Sequence, residues 1–204
     1  MANKGQETEA KFYLIDLGRM AARLDELQAR LVQPRVLETN LRFDLPDGSL
    51  TSSGQVLRLR RDTQARLTYK GAGQNKGGVL DRQEIEFVVE DDQKARQFLE
   101  ALGYRKSMYY EKYRTTYEFQ EALIMLDELP YGSFLEIEGE TVEQIRDISG
   151  KLHLNWEAAI PSSYTALCES LRRQMGLSFP DLSFENFRDL RVTSVDLNVQ
   201  PADE

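Results

Sequence analysis

Glu7, Glu9 and Lys11 stand two residues apart in the segment Gln6-Glu7-Thr8-Glu9-Ala10-Lys11. Alternate residues of a β-strand point to one side. On a strand these three side chains share a face, and Thr8, Ala10 and Phe12 take the other. Two carboxylates beside an ammonium suit a surface that holds a divalent cation and a phosphate together. A single strand of this kind is usually just the wetted side of a half-covered sheet. Here the pattern recurs. Arg58 and Arg60 alternate with leucines in Val56–Arg60, and Arg66, Thr68 and Lys70 share a face in Arg66–Lys70. Arg82, Glu84 and Glu86 do the same, as do Lys112 and Arg114. Asp127 and the pair Glu136 and Glu138 close the series.

The chain has 204 residues, 41% hydrophobic and 29% charged, the balance of an ordinary globular protein. One domain is expected over residues 1–190, followed by a polar, patternless segment, 191–204, expected to be a mobile tail. No stretch approaches the ~20 apolar residues of a membrane span. The N-terminus lacks the apolar core of a signal peptide, so a cytoplasmic protein is expected. Cys168 is the only cysteine, which excludes an internal disulfide or a thiolate cluster, and its helical surroundings suggest a buried thiol. With His153 the only histidine, a metal must be held by oxygen, which points to Mg²⁺, Mn²⁺ or Ca²⁺. The net charge of −8 argues against nonspecific binding to nucleic acid or to anionic membrane. An acidic chain that nevertheless gathers Lys11, Arg58, Arg60, Arg66, Lys70, Arg82, Lys112 and Arg114 on strand faces looks built for a small polyanion.

The elements that must position these residues can be read from the same alternation. About eight strands are expected, near 6–13, 36–44, 55–61, 65–71, 79–89, 108–119, 122–127 and 133–139. Turn signals at Pro46-Asp47-Gly48 and Pro130-Tyr131-Gly132 separate several of them, and the glycine-rich stretch from Gly71 to Gly78 reads as a flexible loop. Leu and Met stripes at spacings of three and four predict helices after Asp16, around Phe98, after Thr141 and after Ser162 or Ser163. The expected class is α+β. Its strands either close into an eight-stranded antiparallel barrel with a polar bore and flanking helices, or form an open sheet with a solvated charged face. Four helices leave part of a barrel's outer face uncovered, which is compatible with a homodimer. Trp156 is expected to pack rather than to stack on a ligand.

In order along the chain, these elements resemble the CYTH superfamily, the triphosphate tunnel metalloenzymes. That superfamily includes class IV adenylate cyclases, thiamine triphosphatases and inorganic triphosphatases. Glu7-x-Glu9-x-Lys11 matches its ExExK signature, Arg58-Leu59-Arg60 its LRLR strand and Thr68-Tyr69-Lys70 its TxK strand. Arg82-Gln83-Glu84-Ile85-Glu86 matches RxExE, and Lys112-Tyr113-Arg114 matches KxR. Asp127 with Gly132 to Glu138 fits the late acidic region, and Ser163-Tyr164 the SY element. The resemblance implies a closed eight-stranded tunnel. One departure stands at Arg42, in the position where many members carry a tyrosine that is thought to help activate water.

With that resemblance, Arg58, Arg60, Lys70, Arg82, Lys112 and Arg114 are expected to bind phosphate, and Lys11 and Glu9 to act at the reacting phosphorus. Glu7, Glu9, Asp127, Glu136 and Glu138 are the expected ligands of Mg²⁺ or Mn²⁺. Arg42, Glu84 and Glu86 support them. The expected partner is a small triphosphate: ATP, tripolyphosphate or thiamine triphosphate. Hydrolysis of its terminal phosphoanhydride is favoured, because water is always at hand in a hydrated tunnel. Cyclisation of ATP to cyclic AMP and pyrophosphate is the alternative, and a noncatalytic polyphosphate-binding module stands behind both.

Overall fold

The structure is a computed structural model that describes residues 6–179 and 181–204. The domain expected over 1–190 thus begins with residues that lie outside the described ones. The described elements run β1 (Gln6–Leu14), α1 (Leu17–Glu26), β2 (Arg30–Asp44), α2 (Ser49–Ser52), β3 (Val56–Arg61), β4 (Ala65–Lys70), β5 (Gln74–Lys76), β6 (Val79–Val89), α3 (Asp92–Ala101), β7 (Arg105–Phe119), β8 (Ala122–Leu129), β9 (Gly132–Glu138), α4 (Val142–Lys151) and α5 (Tyr164–Met175), with a 3₁₀ turn at Trp156–Ala158. The strands hydrogen-bond in the order β1-β9-β8-β7-β2-β3-β4-β6, and β1 also pairs with β6. Every pairing is antiparallel, so eight strands form a closed barrel and the open sheet is excluded. The glycine-rich stretch expected to be only a loop carries the short strand β5, which pairs with β6 outside the ring.

The alternation sends charge inward and hydrocarbon outward, the reverse of most small barrels. Ala10, Phe12, Leu14, Ile124, Leu135 and Ile137 face outward and are buried beneath α1 and α4, with Met20, Leu24, Ile145 and Ile148. Each of the four longer helices, α1, α3, α4 and α5, starts where a short polar side chain satisfies a free backbone donor. Asp16 accepts from Arg19 N at 2.9 Å, Thr141 from Gln144 N at 3.1 Å and Ser163 from Ala166 N at 3.2 Å. Trp156 packs on Phe12 in this outer layer, with ring centroids 6.0 Å apart. Cys168 is fully buried in a second cluster, where α5 meets Tyr131 and Phe134.

β2 is longer than expected and starts at Arg30. Its N-terminal half contains Pro34, which has no N–H for the ladder. Register shifts between Leu31 and Gln33 and between Gln33 and Val36 accommodate it. Such bulges re-aim the side chains around them. The tight connection from β8 to β9 depends on Gly132, where φ is +152° and an added Cβ would lie 2.8 Å from Tyr13 Cε2. The C-terminal segment, expected to be a mobile tail, is packed instead. Leu197 and Ala202 are buried, and Tyr13 pairs with Pro201. Asp203 accepts hydrogen bonds from Ile15 N at 2.9 Å and Asp16 N at 3.0 Å. Its anchors are single side chains and backbone contacts, which leave no periodic signal. No described helix is long and apolar enough to cross a membrane.

Candidate functional site

The inward faces line a cavity of about 480 Å³. The cations that reach it are Lys11, Arg42, Arg58, Arg60, Arg66, Lys70, Arg82, Lys112 and Arg114. The carboxylates are Glu7, Glu9, Glu38, Asp62, Glu84, Glu86, Glu136 and Glu138. The two signs nearly cancel. All the expected phosphate and support residues are therefore in one chamber, and all expected metal ligands except Asp127 line it.

Asp127 is fully buried behind the wall. Both its oxygens accept from Arg114 at 2.6 Å, and it also accepts from Lys112 Nζ at 2.8 Å and Tyr164 Oη at 2.9 Å. Its geometry is that of a counterion holding two cations and a tyrosine in place. Tyr164, at the first turn of α5, lies under both lysines. Lys11 Nζ is 4.2 Å from its ring centroid and Lys112 Nζ 5.1 Å. These are cation–π distances.

Most of the carboxylates have cationic partners. Glu7 accepts from Lys70 Nζ at 2.5 Å and from Arg82 Nε at 2.7 Å. Burial alone would raise its pKa, but Lys70 and Arg82 outweigh it and bring the carboxyl down to about 2. Glu136 lies 3.2 Å from Lys11 Nζ and also meets Arg114. Despite burial, Lys11, Lys112 and Arg114 hold it well below the ordinary range. Glu86 accepts from Arg60 at 2.8 Å and Thr68 Oγ1 at 2.7 Å. Glu84 lies 3.2 Å from Lys70.

Glu9 and Glu138 are different. They are direct cross-strand partners between β1 and β9. Among the described residues the Glu9 carboxylate has a single long contact, 3.5 Å from Arg82. The Glu138 carboxylate has no hydrogen bond or ion pair among the described residues. Burial and the nearby Glu136 and Glu7 raise Glu9. Burial and Glu7 push Glu138 up to about 7, further than Lys70 can bring it down. Two adjacent, poorly compensated carboxylates suit a hard divalent cation. No group of three acidic, histidine or cysteine side chains converges into a ready cage among the described residues. Mg²⁺ does not need one, since it is commonly held by one or two carboxylates, waters and phosphate oxygens.

Glu38 went unnoticed in the sequence. It is 1% exposed, accepts from Asn40 Nδ2 at 2.9 Å, and lies 3.6 Å from Arg60 and 3.8 Å from Lys112. Burial is outweighed by Lys112, Arg114, Arg58 and Arg60, which hold its carboxyl far below the ordinary range. The alternation Glu38, Asn40, Arg42 was available as a signal. Arg42 itself lies opposite Arg58 across the β2–β3 pair and lines the chamber.

Comparisons agree with this architecture. Adenylate cyclase CyaB of Aeromonas hydrophila is 27% identical over 197 residues, covering 94% of this chain and 92% of that protein. A Methanocaldococcus jannaschii protein, named for an unproven adenylate cyclase activity, is 26% identical over 172 residues, covering 79% of this chain and 97% of its own. A crystal structure from Vibrio parahaemolyticus superposes with a TM-score of 0.72 at 20% identity, over 81% of this chain and 99% of that one, and it shares the fold. The CYTH domain model matches residues 5–151, so the chain belongs to the CYTH domain family.

Proposed function

We propose that this protein is a divalent-metal-dependent enzyme that hydrolyses the terminal phosphoanhydride of a triphosphate inside its tunnel. The observation that carries this reading is the Glu9–Glu138 pair, poorly compensated and flanked by Lys11 on β1, in a chamber otherwise lined by paired charges. The near-neutral wall cannot hold a polyanion by net charge alone, so a polyanion is best held there together with a cation. A bound divalent ion supplies charge neutralisation at the phosphate oxygens and a water of lowered pKa.

The chain's own residues do the rest. Arg58, Arg60, Arg82 and Arg114 present planar donor forks that match phosphate oxygens. Each is already oriented by a carboxylate, so little freedom is lost when a phosphate enters. Lys11 brings a compact charge beside Glu9 and Glu136, where charge on the reacting phosphoryl group is to be stabilised. Glu9 and Glu138 are the carboxylates that hold the cation. Glu7, Glu38, Asp127 and Glu136 hold the cations of the wall, and Arg42 adds a further positive group near Arg58.

Cyclisation of ATP is the second reading, favoured by the names of the two sequence relatives. Product analysis separates the two. Protein is incubated with tripolyphosphate, ATP and thiamine triphosphate in Mg²⁺ or Mn²⁺, and orthophosphate, pyrophosphate and cyclic AMP are resolved. Orthophosphate release is expected. Cyclic AMP and pyrophosphate as major products, with tripolyphosphate left intact, would replace hydrolysis by cyclisation. Binding without turnover would leave a noncatalytic module.

A further inference from the structure

The chamber wall is not charged all the way round. Along β8 Leu123 and Met125 line the chamber, while Ile124 and Leu126 face the outer core. Met125 lies opposite Thr116 on β7 and Glu136 on β9, and Leu123 lies opposite Glu138. Thr116 in turn pairs with Gln33, beside the β2 bulge that brings Val32 to the same chamber. Val32 and Leu123 are 46% and 37% exposed. Phosphate oxygens have no use for this hydrocarbon, and leaving it wet forgoes the favourable burial of apolar area. The stretch lies next to Glu138, at the end of the chamber away from Tyr164.

We propose that Val32, Leu123 and Met125 form an apolar shelf that takes a planar heteroaromatic group, such as a nucleobase, carried by the triphosphate, with Gln33 and Thr116 placed to read its polar edge. This rests on the reading of the chamber as a triphosphate site and assigns its natural ligand to the organic triphosphates. The shelf provides what the charged wall cannot, a surface on which a flat ring displaces water while the phosphates remain among the arginines. Met125 fills the wall behind it, and Leu123 and Val32 supply the accessible face.

Calorimetric titration with Mg²⁺ tests the shelf, using β,γ-methylene ATP and inorganic tripolyphosphate as probes on the wild type, Leu123→Ser and Val32→Ser. Both altered residues are partly exposed, so the fold should survive, and circular dichroism checks that it does. The nucleotide analogue is expected to bind with a more negative heat-capacity change than tripolyphosphate, the mark of apolar burial. Leu123→Ser should weaken the analogue about tenfold more than it weakens tripolyphosphate, and should shrink that heat-capacity difference. Equal weakening of both probes, or equal heat-capacity changes in the wild type, would overturn the shelf while leaving the triphosphate site standing. Failure of the wild type to bind either probe would overturn the triphosphate reading and the shelf with it.

Discussion

Two groups of carboxylates share one barrel and have opposite environments. Around Asp127 every acidic oxygen meets a donor, with Arg114, Lys112 and Tyr164 converging on a side chain that is wholly buried. Around Glu9 and Glu138 the acids face each other with little cationic relief. A buried charge needs pairing to be tolerated, and one left underpaired is tolerated when something else completes it. On the proposed reading, the contrast separates acids that build the chamber from acids that work in it, a distinction that residue type alone does not reveal.

Three measurements break or sharpen that contrast. The largest effect is expected at the paired end. Asp127→Ala leaves two cations and a tyrosine hydroxyl without their acceptor, and should lower stability by about 3–5 kcal/mol in urea melts. A loss under about 1 kcal/mol would mean that water replaces the carboxylate, and the knot would not be structural. At the underpaired end Glu9→Gln should act on turnover instead. Activity should fall about 10²–10³-fold, roughly 3–4 kcal/mol of barrier, with stability unchanged within about 0.5 kcal/mol. Unfolding of this variant would recast Glu9 as a member of the first group.

The smallest effect is a pH dependence. Glu38 has a depressed pKa in the fold, so its stabilising contribution is present above its unfolded value near 4.5 and fades as pH falls below it. Glu38→Gln removes that contribution at every pH. The stability gap between wild type and variant should therefore narrow by about 1–2 kcal/mol between pH 6 and pH 3. A gap that stays constant would show that Glu38 is not held by its cations.

Much of the barrel was legible because inward charge and outward hydrocarbon alternate with period two. β1, β3, β4, β6, β7 and β9 could be assigned together with the side chains they turn inward. Val32 could not, because bulges around Pro34 shift the register of β2 in a way that no alternation records. Tyr164 lies on a helix, and its place under Lys11 follows from how α5 packs on Phe134 and Tyr131. Asp127 was legible as an acid of the site, but its role as a counterion depends on Arg114 lying directly across the β7–β8 pair, a register that the sequence does not state. The C-terminal segment was unreadable for another reason. It is held by Leu197, Ala202 and Asp203 one at a time, with no repeating face.

Closure of the ring by β1 also sets the order of assembly. β1 is synthesised before its partners β6 and β9, which lie far along the chain. Contacts of such long sequence separation make folding slow and cooperative, since loop entropy is spent before the pairing is gained. The chamber comes into being at the same step, because Glu7 arrives with β1, Arg82 with β6 and Glu136 with β9. An open ribbon offers a polyanion no such enclosure. Ligand and closed ring therefore belong to a single equilibrium, and a ligand at 100 times its Kd would add about 2.7 kcal/mol to the folded state. A triphosphate bound in the chamber would thus also act as the clasp that keeps this barrel shut.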